Sequence, residues 1–206
     1  MTGEDAVIHI VDDDRAAREG LGFLLSSLGL RTVSHGSAAD LLATLMPDEI
    51  GCILADVRMP GMTGLELLEE LERRGCPLPV IMITGHGDVP MAVRAMRLGA
   101  MDFFEKPVNG MALVDRIREA LELSRTRAGA EREKAQLARR VASLTSREVE
   151  VAQGVLRGLQ NKQIAHELGI SLKTVEVHRH NAMEKMGATS AADLVRLLVA
   201  AGWSTG

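Results

Sequence analysis

The first 120 residues alternate short apolar runs with stretches whose apolar positions recur every three or four residues. Ala6–Val11 reads AVIHIV, an apolar run of strand length followed at once by charge. Leu21, Leu24, Leu25 and Leu28 then fall at helical spacing. Arg31–Ser34 is a weak strand, and Ser37 can cap a helix running to Leu45. Next come a strand at Cys52–Ala55 (CILA), a helix at Gly64–Arg74 and a strand at Val80–Ile83 (VIMI). Asp88 caps a helix to Leu98, with Pro90 in its first turn, where a missing N–H costs little. A strand at Met101–Phe104 and a helix at Asn109–Leu123 complete the series. Strands alternating with helices in this way predict an α/β fold, a doubly wound five-stranded parallel sheet covered on both faces. Ligands of such sheets bind beyond the carboxyl ends of the strands.

Beyond this the pattern changes. Residues 124–143 (SRTRAGAEREKAQLARRVAS) are charged, Ala-rich and poor in large apolar side chains, which predicts a solvated helical linker that Gly129 can interrupt. Leu137, Val141 and Leu144 are too few for a coiled coil. From Leu144 onward the periodicity is purely helical. Thr145, Ser146 and Glu148 resemble a helix start, and Gly158 ends that helix. Asn161 caps a second helix stopped by Gly169, Ser171 caps a third over Leu172–Met186, and Ser190 caps a fourth. Four short helices with tight glycine turns predict a small all-α helix-turn-helix domain. The expected organisation is therefore 1–123, a linker at 124–143, and 144–206.

Charge supports two halves with different partners. Residues 1–123 carry 11 Lys and Arg against 20 Asp and Glu, a net of −9, and residues 124–206 carry 13 against 8, a net of +5. The 46% hydrophobic and 25% charged composition excludes wholesale disorder. No apolar run is long enough to span a bilayer, and the acidic start Met1-Thr-Gly-Glu-Asp lacks a signal-peptide layout, so a cytoplasmic protein without membrane contact is expected. Cys52 and Cys76 form no CxxC and read as reduced thiols of such a protein. With Phe23, Phe103, Phe104 and Trp203 as the whole aromatic complement, a base-stacking platform for single strands is excluded.

Candidate chemistry gathers at the ends of the predicted strands. Asp12, Asp13 and Asp14 follow the first, Asp56 ends the third, Thr84 ends the fourth and Lys106 follows the fifth. A parallel sheet brings all of these to one edge. Clustered carboxylates need a cation, and a hard oxygen site suits Mg²⁺ (or Mn²⁺). A carboxylate beside such an ion can attack phosphorus to give an acyl phosphate. Lys106 and the Thr84 hydroxyl can then meet phosphoryl oxygens. Taken singly, each piece also reads as ordinary structure: a solvated acidic loop, a turn threonine, a Lys-Pro loop. The joint pattern carries the reading.

These residues carry a resemblance. With VDDD, DVRMPGMTG, ITGHGD and EKP in order, residues 1–123 resemble a bacterial response-regulator receiver domain, which has a flavodoxin-like fold. The whole chain is similar to the FixJ subgroup of two-component regulators, ITGHGDVPMAV most specifically. The resemblance implies that Asp56 is the phosphoacceptor. It implies that Asp12, Asp13, Asp56 and the backbone carbonyl of Arg58 hold the metal. Thr84 becomes the switch hydroxyl, Lys106 the phosphoryl partner, and Phe103 the switch aromatic, where the family often has Tyr. It implies a cis Lys106–Pro107 bond. Arg58 and His86 stand at variable positions that tune phosphoryl lifetime. Phosphorylation adds close to two negative charges and acceptor oxygens. In this subgroup the face of the fourth helix and fifth strand then dimerises, here Val93, Arg94, Arg97 and Asp102.

In the basic half, Val175, Ala182, Met183 and Met186 of the third helix can face the core, and Lys173, Glu176, Val177 and His180 fall on another face. Such a face can read base edges in the major groove. Lys162, Thr174 and His178 are placed to meet phosphates. The alternative is an ordinary surface helix, and the net charge of only +1 over 144–206 (7 basic, 6 acidic) argues weakly against it. NKQIA and KTVEVHRH, however, resemble the LuxR/FixJ-type DNA-binding domain. That family sets Glu176, Val177 and His180 toward the groove and dimerises through its last helix, here Ala191–Ala200. Paralogues carry Lys at the position of Glu176. The glutamate can accept from a cytosine amino group.

The reading that results is a two-component response regulator, not an enzyme. Its partners are a sensor histidine kinase, double-stranded promoter DNA and RNA polymerase, and it forms a homodimer when phosphorylated. Two other readings stay open: a constitutive DNA-binding regulator whose receiver is controlled by a partner, and a metal-dependent phosphoryl-transfer enzyme. The complete set Asp12, Asp13, Asp56, Thr84 and Lys106 argues against the first. The lack of a second acid after Asp56 and of a Gly-rich nucleotide loop argues against the second.

Overall fold

The computed structural model describes residues 6–85 and 87–204. Five strands, β1 (Val7–Val11), β2 (Arg31–His35), β3 (Gly51–Asp56), β4 (Val80–Thr84) and β5 (Asp102–Glu105), form one parallel sheet in the order β2-β1-β3-β4-β5. The helices between them are α1 (Arg15–Ser27), α2 (Ala38–Thr44), α3 (Gly64–Arg73), α4 (Val89–Arg97) and α5 (Gly110–Ala142). The strand order reverses direction between β1 and β3, so a crevice opens at their carboxyl ends.

Period-two alternation sorts the strand residues between two apolar layers. Ile8, Ile10, Cys52, Leu54, Ile81 and Ile83 pack with Leu25 of α1 and Leu113, Ile117 and Leu121 of α5. Val11, Ile53, Ala55, Val80 and Met82 pack with Leu41 of α2, Leu67, Leu68 and Leu71 of α3 and Ala95 of α4. β1, β3 and β4 are buried throughout, whereas β5, at an edge, is only half-buried. The buried strand residues also include the polar His9 and His35. His9 Nδ1 lies 3.0 Å from His35 Nε2, and both rings are buried. Burial, and then the neighbouring His9, push the His35 imidazole below its ordinary value.

The helix starts follow local capping chemistry. Asp14, Ser37, Thr63 and Asp88 each accept a backbone N–H from the first turn of the helix they open, and Thr63 and Glu66 form a reciprocal capping box.

The chain divides into two compact units at Gly129 and Ala130, inside α5. The expected interruption at Gly129 does not occur: α5 is helical through it, with open space where its Cβ would stand. Leu137 and Val141, near the end of α5, are half-buried against the core of the second unit.

That unit holds α6 (Ser146–Leu156), α7 (Asn161–Leu168), α8 (Leu172–Met186) and α9 (Ala191–Ala200). Its core is Val151, Val155, Ile164, Val175, Met186, Leu194 and Leu198 with their neighbours. The N-cap of α7 is Gln160, not Asn161. Gln163 Oε1 accepts the Gln160 N–H at 2.8 Å, which releases the Asn161 amide oxygen to accept from Arg179 of α8 at 2.7 Å. Both cysteines are free thiols, Cys52 buried and Cys76 half-buried. No helix of the described residues is long and apolar enough to cross a membrane.

Candidate functional site

The carboxyl ends of β1, β3 and β5 bring Asp12, Asp56 and Lys106 into one pocket. Lys106 Nζ donates to Asp12 Oδ2 at 2.6 Å and to Asp56 Oδ1 at 2.7 Å. The side chains of Asp12 and Asp56 are 95% and 93% buried, respectively, and that of Lys106 keeps about a quarter of its surface exposed. Burial disfavours the charged form of Lys106, but the two carboxylates outweigh it and raise the amine above its ordinary value. Lys106 therefore stays protonated and offsets one of two buried negative charges.

Backbone geometry holds each carboxylate in place. The Arg58 N–H donates to Asp56 Oδ2 at 2.6 Å, and the Asp14 N–H donates to Asp12 Oδ1 at 2.9 Å. The Arg18 guanidinium donates to the Asp12 carbonyl. The Lys106 N–H donates to the Thr84 carbonyl at 2.7 Å, which ties the lysine backbone to the end of β4. Gly64 lies beneath Asp56: a Cβ there would stand 2.2 Å from the Asp56 carbonyl oxygen. This glycine opens α3 and lets the loop after the acid fold back, its N–H bonded to the Val57 carbonyl at 2.9 Å. The chain offers no signal for that role beyond a glycine eight residues after an acid.

The other candidates divide. Thr84 is buried at the end of β4, and Phe103 is half-buried on β5 against the layer that includes Met82 and Met91. Asp13 and Arg58 are exposed, and Asp13 does not join the buried pair. His86 lies outside the described residues. The Lys106–Pro107 bond is cis. Among the described residues no three His, Cys, Asp or Glu side chains are grouped to hold a metal ion. The buried pair nonetheless suits Mg²⁺, which is commonly bound through one or two carboxylates and completes its shell with water and phosphate oxygens.

On α4, Val93, Arg94 and Arg97 are exposed. Arg94 pairs with Glu69 at 3.2 Å, and Asp102 pairs with Arg116 Nε at 2.7 Å. Val89 and Met96 flank Val93 at helical spacing and are 77% and 48% exposed, so α4 carries an apolar stripe. The i, i+4, i+7 spacing of Val89, Val93 and Met96 is the signal of this stripe in the sequence.

In the second unit, Gly169 adopts φ +65°, the left-handed conformation that ends α7, and Ser171 caps α8 two residues later. Lys173, Glu176, Val177 and His180 are exposed on α8 and follow helical spacing along one face. Val175, Ala182 and Met186 are buried on the other. Lys162 is exposed on α7, while Thr174 and His178 are half-buried, with Thr174 Oγ1 2.7 Å from Ser171 Oγ. Lys185 of α8 donates to the buried Glu148 at 2.6 Å, and Glu148 accepts the Thr145 N–H at 2.8 Å. Glu148 and Arg179 thus tie α8 to the starts of α6 and α7. Neither was singled out as a positioning residue from sequence.

A doubly wound sheet with an acid pair and a lysine at its switch point, carried on one chain with a helix-turn-helix unit, is the build of a two-component response regulator that controls transcription. Residues 8–118 match the response regulator receiver domain, and residues 142–198 match the bacterial regulatory proteins of the luxR family. The chain belongs to this family of receiver-plus-LuxR-type regulators. It is 49% identical to the transcriptional regulatory protein FixJ of Azorhizobium caulinodans over 199 residues, 97% of this chain and 94% of that one. It is 46% identical to the C4-dicarboxylate transport transcriptional regulatory protein DctR of Rhodobacter capsulatus, over 92% of this chain and 98% of that one. Among solved structures it is similar to the response regulator StyR, with a TM-score of 0.89 at 45% identity, covering 95% of this chain and 98% of that one.

Proposed function

We propose that Asp56 is the phosphoacceptor of this regulator and that its phosphorylation by a sensor histidine kinase drives dimerisation and promoter binding. One observation carries the reading: Asp56 is buried at the carboxyl edge of the sheet, with one oxygen on Lys106 and the other on the Arg58 N–H. An Asp56 oxygen attacks the phosphorus of a phosphohistidine. The O–P bond forms, the N–P bond breaks, and imidazole leaves. Asp12, Asp13, Asp56 and the Arg58 carbonyl would hold Mg²⁺ (or Mn²⁺), which when bound neutralises charge on the phosphoryl oxygens. Lys106 gives up its bond to Asp56 and pairs with the phosphoryl group. The Thr84 hydroxyl follows the new charge, and Phe103 moves with it.

Moving an equilibrium from mostly off to mostly on needs about 5.5 kcal/mol of differential binding. The new charge and acceptor oxygens supply it through Lys106 and Thr84. The output is a homodimer through α4 and β5, using the Val89–Val93–Met96 stripe with Arg94, Arg97 and Asp102. Lys173, Glu176, Val177 and His180 then face the major groove of double-stranded promoter DNA. Lys162, Thr174 and His178 meet phosphates, and RNA polymerase is the downstream partner. Binding, not turnover, is the function, in the cytoplasm where promoter and kinase meet.

The test is sedimentation of the full chain with beryllium fluoride and Mg²⁺. The wild type shifts to a dimer and the Asp56→Ala variant does not. A variant that still shifts removes Asp56 from the role. Sequencing of genomic fragments retained with and without beryllium fluoride then identifies the promoters.

A further inference from the structure

Gly85 and Gly87 both stand in the loop between β4 and α4, and they differ. Around Gly85 nothing lies within 4 Å of where a Cβ would be. A Cβ at Gly87 would stand 2.9 Å from Phe103 Cε1, 3.3 Å from Phe103 Cζ and 3.1 Å from Thr84 Cγ2. A side chain at Gly87 has no room. The edge of the Phe103 ring and the Thr84 methyl occupy the position a side chain would take. Asp56 in this arrangement contacts Lys106 and the Arg58 N–H, so the packing belongs to the unmodified acid.

We propose that Gly87 is a positioning residue of the switch: its missing side chain is the seat that holds the Phe103 ring and the Thr84 methyl in the resting arrangement. The inference rests on the Thr84–Phe103 reading given above. An aromatic ring does not bend, so a methyl group at 87 is met by rotation or displacement of Phe103. That cost falls on the resting arrangement and not on one in which the ring has left. A difference of this kind between two states shifts their populations. Gly87→Ala therefore moves the unphosphorylated protein toward the form that phosphorylation selects.

The experiment uses the full chain with ¹³C-labelled phenylalanine, three residues in all, in parallel with sedimentation. In the wild type, beryllium fluoride and Mg²⁺ shift the Phe103 resonance and the monomer–dimer balance. In Gly87→Ala without beryllium fluoride, the resonance moves along that same line and self-association tightens by about tenfold. In Gly87→Ala/Phe103→Leu, which removes the ring atoms closest to the new methyl, association falls back to that of Phe103→Leu alone. If Gly87→Ala is poorly folded, Thr84→Ser/Gly87→Ala relieves the methyl contact, keeps the hydroxyl and shows the same resonance shift. A Gly87→Ala protein with wild-type Phe103 resonance and association, beside a wild type that still responds to beryllium fluoride, overturns the proposal and leaves the switch reading standing. A wild-type Phe103 that ignores beryllium fluoride overturns both.

Discussion

Gly20 and Gly154 both lie within helices, at a similar intrinsic cost of about 1 kcal/mol relative to alanine. Their surroundings differ. Around Gly20 in α1 nothing lies within 4 Å of a built Cβ, whereas at Gly154 in α6 it would stand 2.7 Å from Ile164 Cγ1. Gly154 lets α6 and α7 approach, and filling it overpacks a core at a cost of about 1–3 kcal/mol. We expect Gly20→Ala to raise the stability of the first unit and Gly154→Ala to lower that of the second, both read by thermal unfolding of the full chain. A stabilised Gly154→Ala would show that the helices separate at no cost. Burial likewise distinguishes the two thiols. It pushes Cys52 up to about 12 and raises the half-buried Cys76 less far, so neither is a reactive thiolate at neutral pH.

At the scale of the element, α8 is positioned by charge as well as by packing. Burial raises the Glu148 carboxyl, but its bonds to Lys185 and Thr145 outweigh this and leave it below its ordinary value. A carboxyl depressed in the folded state contributes stability that is present above the unfolded value of 4.5 and is lost as pH falls through the folded one. Glu148→Gln should therefore destabilise the second unit by on the order of 1 kcal/mol near neutrality. The difference from the wild type should shrink as unfolding is measured at progressively more acid pH, and a constant difference would assign the effect to packing. The outer face of α8 carries a separate expectation. His180→Ala should change which sequences bind, whereas Lys162→Ala should weaken all sites alike and reduce the salt slope by about one unit. Binding titrations on selected and random duplexes at several salt concentrations distinguish them. Equal losses on both duplexes for His180→Ala would remove it from the reading face.

At the scale of the whole molecule, the acidic first half and the basic second half match two different partners. The buried Asp12–Lys106–Asp56 group holds two negative charges against one positive, so a divalent cation and a phosphoryl analogue should bind together rather than separately. Chelation of Mg²⁺ should reverse beryllium-fluoride-induced dimerisation of the full chain while leaving its thermal midpoint without beryllium fluoride nearly unchanged. The buried carboxylates are already offset by Lys106 and by backbone N–H groups. Dimer that survives chelation would separate the response from the metal.

By itself the sequence determined the alternation of strands and helices, because a parallel sheet buried on both faces needs apolar runs, and helix starts favour Asp, Ser or Thr just ahead of the first turn. It also determined that Asp12, Asp56, Thr84 and Lys106 share one edge, since each ends or follows a strand of that sheet. Tertiary structure alone decided which side chains meet. Asp12 and not Asp13 shares Lys106 with Asp56, because the turn after β1 sends one carboxylate inward and the next into solvent. Gln160 rather than Asn161 precedes α7, because Arg179, eighteen residues away, takes the Asn161 oxygen. α5 runs through Gly129, where a weak helix former stands within a longer helix. Gly64, Gly87 and Gly154 look alike in a sequence. Their reasons are the Asp56 carbonyl, the Phe103 ring and the Ile164 side chain, three neighbours brought to them by the fold.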